Sequence, residues 1–169
     1  MRRRNAAKEK NTIMKDLIKE LDEHLEYVDH EIEGEELRIY VQSNRDVVKC
    51  PYCGQESGKC HSLYERSFQD LPIMGKKTKI ILTNRKMFCQ NPDCGHKTFA
   101  ERFDFLTYKG KRTERLTNKI IEIALHTSSV AASGSIKDGI ADVGKSTICT
   151  LLKKRSGNSS AKGCHKSMY

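Results

Sequence analysis

Residues 50–54 read CPYCG and residues 89–95 read CQNPDCG, and these two stretches decide how the rest of the chain is read. Two thiolates separated by two residues can reach one ion, and Gly54 lets the backbone turn back toward sulfur. Cys89 and Cys94 repeat the arrangement with four intervening residues, still within structural-zinc spacing, and the segment between the pairs suits a hairpin or short sheet. Cys50, Cys53, Cys89 and Cys94 are therefore the expected ligands, with Zn2+ the expected cofactor. Cys60, His61 and His96 lie close in sequence and could replace a ligand or bind a second ion. Buried unliganded cysteines and a tetrathiolate iron centre are the rival readings. Four thiolates close the coordination shell, so this metal is expected to stabilise the fold and not to activate water.

Outward from the cysteines, Leu37, Ile39 and Val41 alternate with Arg38, Tyr40 and Gln42, the period of a strand with one covered face. Further strand signals lie at 78–83 (TKIILT) and near Met87–Phe88, with Pro72, Gly75 and Asn84 marking breaks. These predict a small zinc-ribbon-like antiparallel β module over residues 37–106.

On the N-terminal side, a basic leader is followed by TIMKDLIKELDEHLEYVD at 12–29, where Met14, Ile18, Leu21, Leu25 and Val28 fall at helical spacing. The expectation is a basic leader and amphipathic helix over 1–36, with a homodimer through the 12–29 helix as one use of that stripe. On the C-terminal side, Leu116, Ile120, Ile123 and Ala124 share a helical face, with Thr113 or Thr117 as cap. Gly134 and Gly139 weaken a second helix over 129–143 before STICTLLKKR opens a cleaner one at Ser146. Ile136, Ile140 and Val143 read as buried positions, Gly144 as a tight turn and Ser146 as an N-cap: helix-turn-helix geometry over 107–155. The Ser-, Gly- and Lys-rich segment 156–169 reads as a disordered tail. The fold class is thus α+β: a β module with an N-terminal helix, followed by an all-α segment.

Charge points to a polyanionic partner. The formal net charge of +9 is uneven: about +5 over residues 1–19, about −9 over 20–36 and about +13 over the remainder. Such an excess favours nucleic acid, with anionic membrane a weaker candidate. No window approaches the roughly eighteen apolar residues of a membrane span, and the leader has no apolar h-region, so a cytoplasmic location is expected, with no membrane partner. Seven cysteines in a reducing compartment are read as thiolates and not as disulfides. Residues 139–146, GIADVGKS, match the phosphate-binding pattern G-x-x-x-x-G-K-[ST], but SSVAASGSIKD before them is not a buried strand, so no nucleotide is expected to bind.

Together, CPYC, then HSLYERSFQDLPIMGKKTKIIL, then RKMFCQNPDCGHKTFAERF resemble the N-terminal region of the ISL-three-type insertion-sequence transposases. The likeness runs from Cys50 to Phe103 and, more loosely, through RTERLTNKIIEIAL and STICTLLKKR. It implies a zinc-binding module and a helix-turn-helix that bind double-stranded DNA at the element's terminal inverted repeats. In that family these parts lead into a catalytic domain with an Asp/Asp/Glu triad. After Arg115 only Glu122, Asp138 and Asp142 carry carboxylates, so the chain reads as a truncated transposase and no catalysis is expected of it alone. Expected DNA contacts are Lys76, Lys77, Lys79, Arg85, Lys86, Lys109, Lys111, Arg112, Lys145, Thr147, Thr150, Lys153, Lys154 and Arg155, most of them positioning the protein on phosphates without reading bases. The alternative is a zinc-stabilised protein-interaction or regulator module without a role in transposition; the third class, a nucleotide hydrolase, would depend on Lys145.

Overall fold

A computed structural model describes residues 2–106, 110–127 and 129–160, with side chains for 12–106, 110–127 and 131–155. The order of elements is α1 (Arg2–Leu21), β1 (Leu25–Glu33), β2 (Glu36–Ser43), β3 (Val48–Lys49), β4 (Glu56–Ser57), β5 (Cys60–Ile73), β6 (Lys76–Phe88), β7 (Thr98–Ala100), α2 (Glu114–His126), α3 (Ser129–Gly139) and α4 (Lys145–Ser160).

The sheet has five strands in the order β1-β2-β6-β5, with β7 paired to the far end of β6, and β3 with β4 forms a separate hairpin. The cause is the alternation along β2 and β6. Ile39 stands beside Ile80 and Val41 beside Leu82, while Phe68 of β5 stands on the other side of Ile80. All five side chains are buried, and Ile18, Leu25, Tyr27, Phe103 and Phe105 complete this core. The expectation of an antiparallel sheet is corrected here, because β2 runs parallel to β6, from Glu36 beside Lys77 to Gln42 beside Thr83. That pairing requires the chain to leave β2, build β3, β4 and β5, and return, a non-local arrangement that no local pattern encodes.

The expected helix over 12–29 is corrected as well. It begins earlier and stops at Leu21, where the Asp22 amide bonds the Ile18 carbonyl (3.1 Å) and the Leu25 amide bonds the Asp22 carbonyl (3.0 Å). The Asp22 carboxylate also accepts from the His24 amide (2.9 Å). Leu25 and Tyr27 then obey the period of a strand whose buried face meets β2. The stripe proposed for dimerisation is thereby divided: Ile18 and Leu25 lie in the chain's own core, and Val28 faces outward from β1.

The β5–β6 hairpin turns through Met74 (φ 52°) and Gly75 (φ 74°), two successive left-handed residues whose twist matches that of the flanking strands. Beyond the sheet, α2, α3 and α4 enclose a second core of Leu116, Ile120, Ala124, Ala132, Ile136, Ala141, Val143 and Ile148. Thr113 caps α2, its hydroxyl accepting from the Leu116 amide (3.3 Å). The second helix forms despite its two glycines, and Gly144 replaces Ser146 as the residue preceding α4: the Thr147 and Ile148 amides bond the Gly144 carbonyl at 3.0 and 3.2 Å. α4 continues to Ser160, past the expected end at Arg155; the tail 161–169 lies outside the described residues.

Helices and sheet are joined by a buried carboxylate. Asp70 of β5 accepts from the Thr113 hydroxyl (2.6 Å) and from Arg115 Nε (2.8 Å), and a second Arg115 nitrogen bonds its other oxygen. Lys77 of β6 bonds Asp142 in the loop before α4 (3.2 Å).

Candidate metal centre and nucleic-acid surface

Each cysteine pair sits in the turn of a hairpin. Cys50 and Cys53 lie between β3 and β4, and Cys89 and Cys94 between β6 and β7. In the first turn the Cys50 amide bonds the Gln55 carbonyl (2.8 Å) and the Gly54 amide bonds the Cys50 carbonyl (2.9 Å), with Gly54 at φ 76°. In the second, the Cys89 amide bonds the Lys97 carbonyl (2.9 Å) and the Asp93 amide bonds the Asn91 side chain (2.9 Å). Val48, Met87 and Phe99 close a small core around Cys50 and Cys94.

The four sulfurs all lie within 4.8 Å of one another, with Cys53 Sγ 3.5 Å from Cys89 Sγ. Four sulfurs held about 2.3 Å from one tetrahedral ion stand roughly 3.8 Å apart, so the cluster is close to a zinc tetrathiolate without rearrangement. The backbone N–H of Gln55, aided by hydrogen bonds from the neighbouring thiols, draws the Cys53 thiol down to about 7. At Cys89 the Asn91 amide favours the thiolate, yet burial and the neighbouring sulfurs push the thiol up to about 12. One thiolate forms readily and the next is suppressed, which is the condition a dication relieves.

The three rival ligands are placed elsewhere. Cys60 Sγ faces the Ser62 and Lys86 carbonyls at 3.7 and 3.8 Å. His61 bonds the Ser62 hydroxyl (2.9 Å) and tilts over Phe88 with centroids 4.8 Å apart. His96 stacks on Tyr52, centroids 3.5 Å apart and planes within 4°, joining the two cysteine turns through their side chains.

Beneath the cluster, the buried Glu101 accepts from the Ser43 hydroxyl (2.6 Å), Arg45 Nε (2.9 Å) and Arg85 Nε (2.7 Å), and Arg85 also bonds the Arg45 carbonyl (2.7 Å). This clamp ties the ends of β2, β6 and β7 together; sequence reasoning missed Glu101, since nothing local distinguishes it from a surface glutamate. Burial raises its carboxyl, but the Arg85 and Ser43 bonds outweigh that and hold it below the ordinary glutamate range.

The cations expected to meet DNA fall in three places. On β6, Lys76 donates to the Gly34 carbonyl (2.7 Å), Lys77 to Asp142, Lys79 to Glu36 (2.5 Å), and Arg85 belongs to the clamp, leaving Lys86 half-buried at the far end. Before α2, Lys111 is exposed and Arg112 half-buried, its Nε without a hydrogen-bond partner. On α4, Lys145, Thr150, Lys153 and Lys154 are exposed and Thr147 is half-buried, while Ile148 packs inward. Lys109 lies outside the described residues. The GIADVGKS segment is preceded by α3, where a phosphate-binding loop requires a strand.

With the four sulfurs in place, comparison with known proteins becomes specific. Residues 46–94 match the zinc-finger of transposase IS204/IS1001/IS1096/IS1165. The matched segment contains all four clustered cysteines. The chain is also similar to the transposase for insertion sequence element IS1001 of Bordetella parapertussis, 27% identical over 125 residues, which are 72% of this chain and 28% of that protein. The chain therefore spans under a third of that relative's length. No solved structure matches it. The resemblance first seen in the cysteine stretches thus extends to the transposase zinc finger, and zinc is the ion that this sulfur cluster suits. No helix among the described residues is long and apolar enough to cross a membrane.

Proposed function

We propose that the chain is a zinc-dependent DNA-binding unit of a transposase, in which a zinc-ribbon-like module and a helix-turn-helix formed by α3 and α4 engage double-stranded DNA, the terminal repeats of an element being the expected site. The observation that carries the reading is the four-sulfur cluster inside the segment that matches a transposase zinc finger. In support, α4 follows α3 after a five-residue connection, buries Ile148 against α2 and α3, and presents Lys145, Thr150, Lys153 and Lys154 on its open side. The arrangement suits a recognition helix, with lysines for phosphates and the first turn for base edges. Of the remaining candidates, Lys86, Lys111 and Arg112 are backbone contacts in this reading, while Lys76, Lys77, Lys79 and Arg85 would have to leave internal partners to reach DNA.

We assign the zinc a structural role, because four thiolates leave no coordination position for water or substrate. The buried carboxylates among the described residues, Asp70 and Glu101, are each neutralised by arginine, which suits them to holding the fold together.

The test is metal analysis of the purified chain followed by a gel shift on duplexes carrying the repeats that flank its gene. One zinc per chain and an affinity that falls about 1000-fold between 50 and 200 mM salt are expected if Lys145, Lys153, Lys154, Lys86, Lys111 and Arg112 together neutralise about six phosphates. Binding that ignores salt, or absence of any shift, would refute the reading.

A further inference from the structure

The long outer strands of the sheet, β1 and β5, end it in different ways. β1 is kinked by a bulge between Tyr27 and Asp29 and carries exposed Glu26, Asp29, Glu31 and Glu33, so a second β1 laid along it would meet like charge. The later half of β5 is covered: the Gln69 amide bonds the Lys111 carbonyl (3.0 Å) and the Thr113 amide bonds the Gln69 carbonyl (3.0 Å). The first half, CHSLYER at 60–66, contains neither proline nor lysine, and residues 60–65 are all exposed. We infer that this open half of β5 pairs antiparallel with the same segment of a second copy, joining two sheets across a two-fold axis at Leu63. The contact uses no residue of α1 and stands apart from the DNA-binding reading.

The backbone sets which residues can take part. Gln69 turns both of its backbone groups away from β6, and the register with β6 runs unbroken from Ser62 to Asp70. Backbone groups alternate in direction along a strand, so Leu63 and Glu65 also present their N–H and C=O outward. Among the described residues nothing bonds these four groups. Such a row is a template for another strand, and natural edges block it with proline, lysine or a bulge along the open stretch. Here the one bulge lies at the very start, between Cys60 and Ser62.

Side chains favour a second copy as the occupant and fix the register. Leu63 is 63% exposed, and with Leu63 on the axis it packs on its own counterpart while Tyr64 covers Ser62 of the second copy. Among the described residues Glu65 bonds no cation, and Lys59 bonds no carboxylate but rests on the Phe88 ring at 5.4 Å. In this register Glu65 lies opposite His61 of the second copy and diagonal to its Lys59, within reach of a long side chain. An axis at Glu65 would set two carboxylates face to face, and an axis at Tyr64 would set Leu63 against Glu65. The overlap covers 60–66 on each copy and stops short of Gln69, where the chain covers its own edge.

The experiment follows the full zinc-loaded chain, without DNA, from about 5 to 500 µM, because so small a contact requires high concentration. For a dissociation constant of about 50 µM, the average mass in sedimentation should reach about 1.8 times that of one chain at the top of the range. Over the same range the Leu63 and Glu65 amides should slow about 4-fold in amide-resolved hydrogen exchange, while Tyr64, bonded within the sheet, changes little. Leu63→Pro removes an outward N–H and no bond to β6, and Leu63→Lys puts two ammonium groups on the axis. Both should stay monomeric at 500 µM with zinc content unchanged, and the lysine variant keeps the test if the proline variant fails to fold. A monomer at every concentration overturns the inference, as does a dimer that survives both variants or leaves the Leu63 and Glu65 amides unprotected. Slow exchange of those amides already at 5 µM would mean that the chain covers this edge itself, and overturns it too.

Discussion

Cys53 and Cys94 come from opposite hairpins, so replacing either removes a ligand that no neighbour can supply: Cys60, the nearest other thiol in sequence, faces the Ser62 and Lys86 carbonyls. Cys53→Ser and Cys94→Ser are each expected to lower bound zinc from about one equivalent to near zero and to lower Tm, read by elemental analysis and calorimetry. Glu101 makes a different prediction. Its folded carboxyl is held below the ordinary range, so its contribution is fully present above that range and is lost as pH falls through it toward the depressed value. Glu101→Ala should cost about 3 kcal/mol at neutral pH in urea unfolding, because two arginines lose their buried partner. Glu101→Gln should flatten the acid limb of Tm against pH relative to the parent, and an unchanged limb would discount the clamp. Of these residues, the cysteines were legible in the sequence because two glycine-followed pairs at metal spacing are rare by chance. Glu101 was not, since its meaning depends on Ser43 and Arg45, more than fifty positions away.

Among the elements, the hairpin turn at Met74–Gly75 carries a fully exposed methionine in a left-handed conformation, which costs a residue with a Cβ about 1 kcal/mol. Asn tolerates that conformation and favours this turn, so Met74→Asn should raise Tm by roughly 2–4 °C with DNA affinity unchanged. The joint between β5 and α2 is more sensitive. Asp70→Ala strands Arg115 and the Thr113 hydroxyl at once, and is expected to cost about 3 kcal/mol and to loosen the three helices first, seen as faster amide exchange over 114–126 than over 37–43. α2 could be read from its apolar stripe, and β2 and β6 from their alternation. β1 could not: Leu25 satisfies both the helical spacing from Leu21 and the strand spacing to Tyr27, and only the meeting with β2 decides between them. β5 hid for the opposite reason. Its first half is exposed on both faces, so residues 60–65 show no alternation to detect.

At the scale of the molecule the described residues form three cores: one under the sheet, one among α2, α3 and α4, and one around the cysteines. Chelation should therefore melt the smallest of them selectively. Hydrogen exchange is expected to rise over 46–57 and 89–100 after zinc removal while Ile39, Ile80 and Leu82 stay protected; uniform unfolding would show that the cores are one cooperative unit. β6 enters two of them and is tied by an ion pair to the loop beside the third. Lys77 meets the loop before α4, Ile80 and Leu82 enter the sheet core, and Met87 reaches the cysteine core just ahead of Cys89. A strand of 13 residues rises about 3.3 Å per residue, so roughly 40 Å separates its helical end from its metal end. On the proposed reading, in which the metal module and the helices both engage DNA, that length is a caliper opened to about twelve base pairs at 3.4 Å each. Lengthening β5 and β6 by two residues apiece, between Thr83 and Arg85 on β6, would keep every side chain on its face and widen the caliper by about 6.6 Å. The protected stretch of DNA in a footprint should then grow by two base pairs.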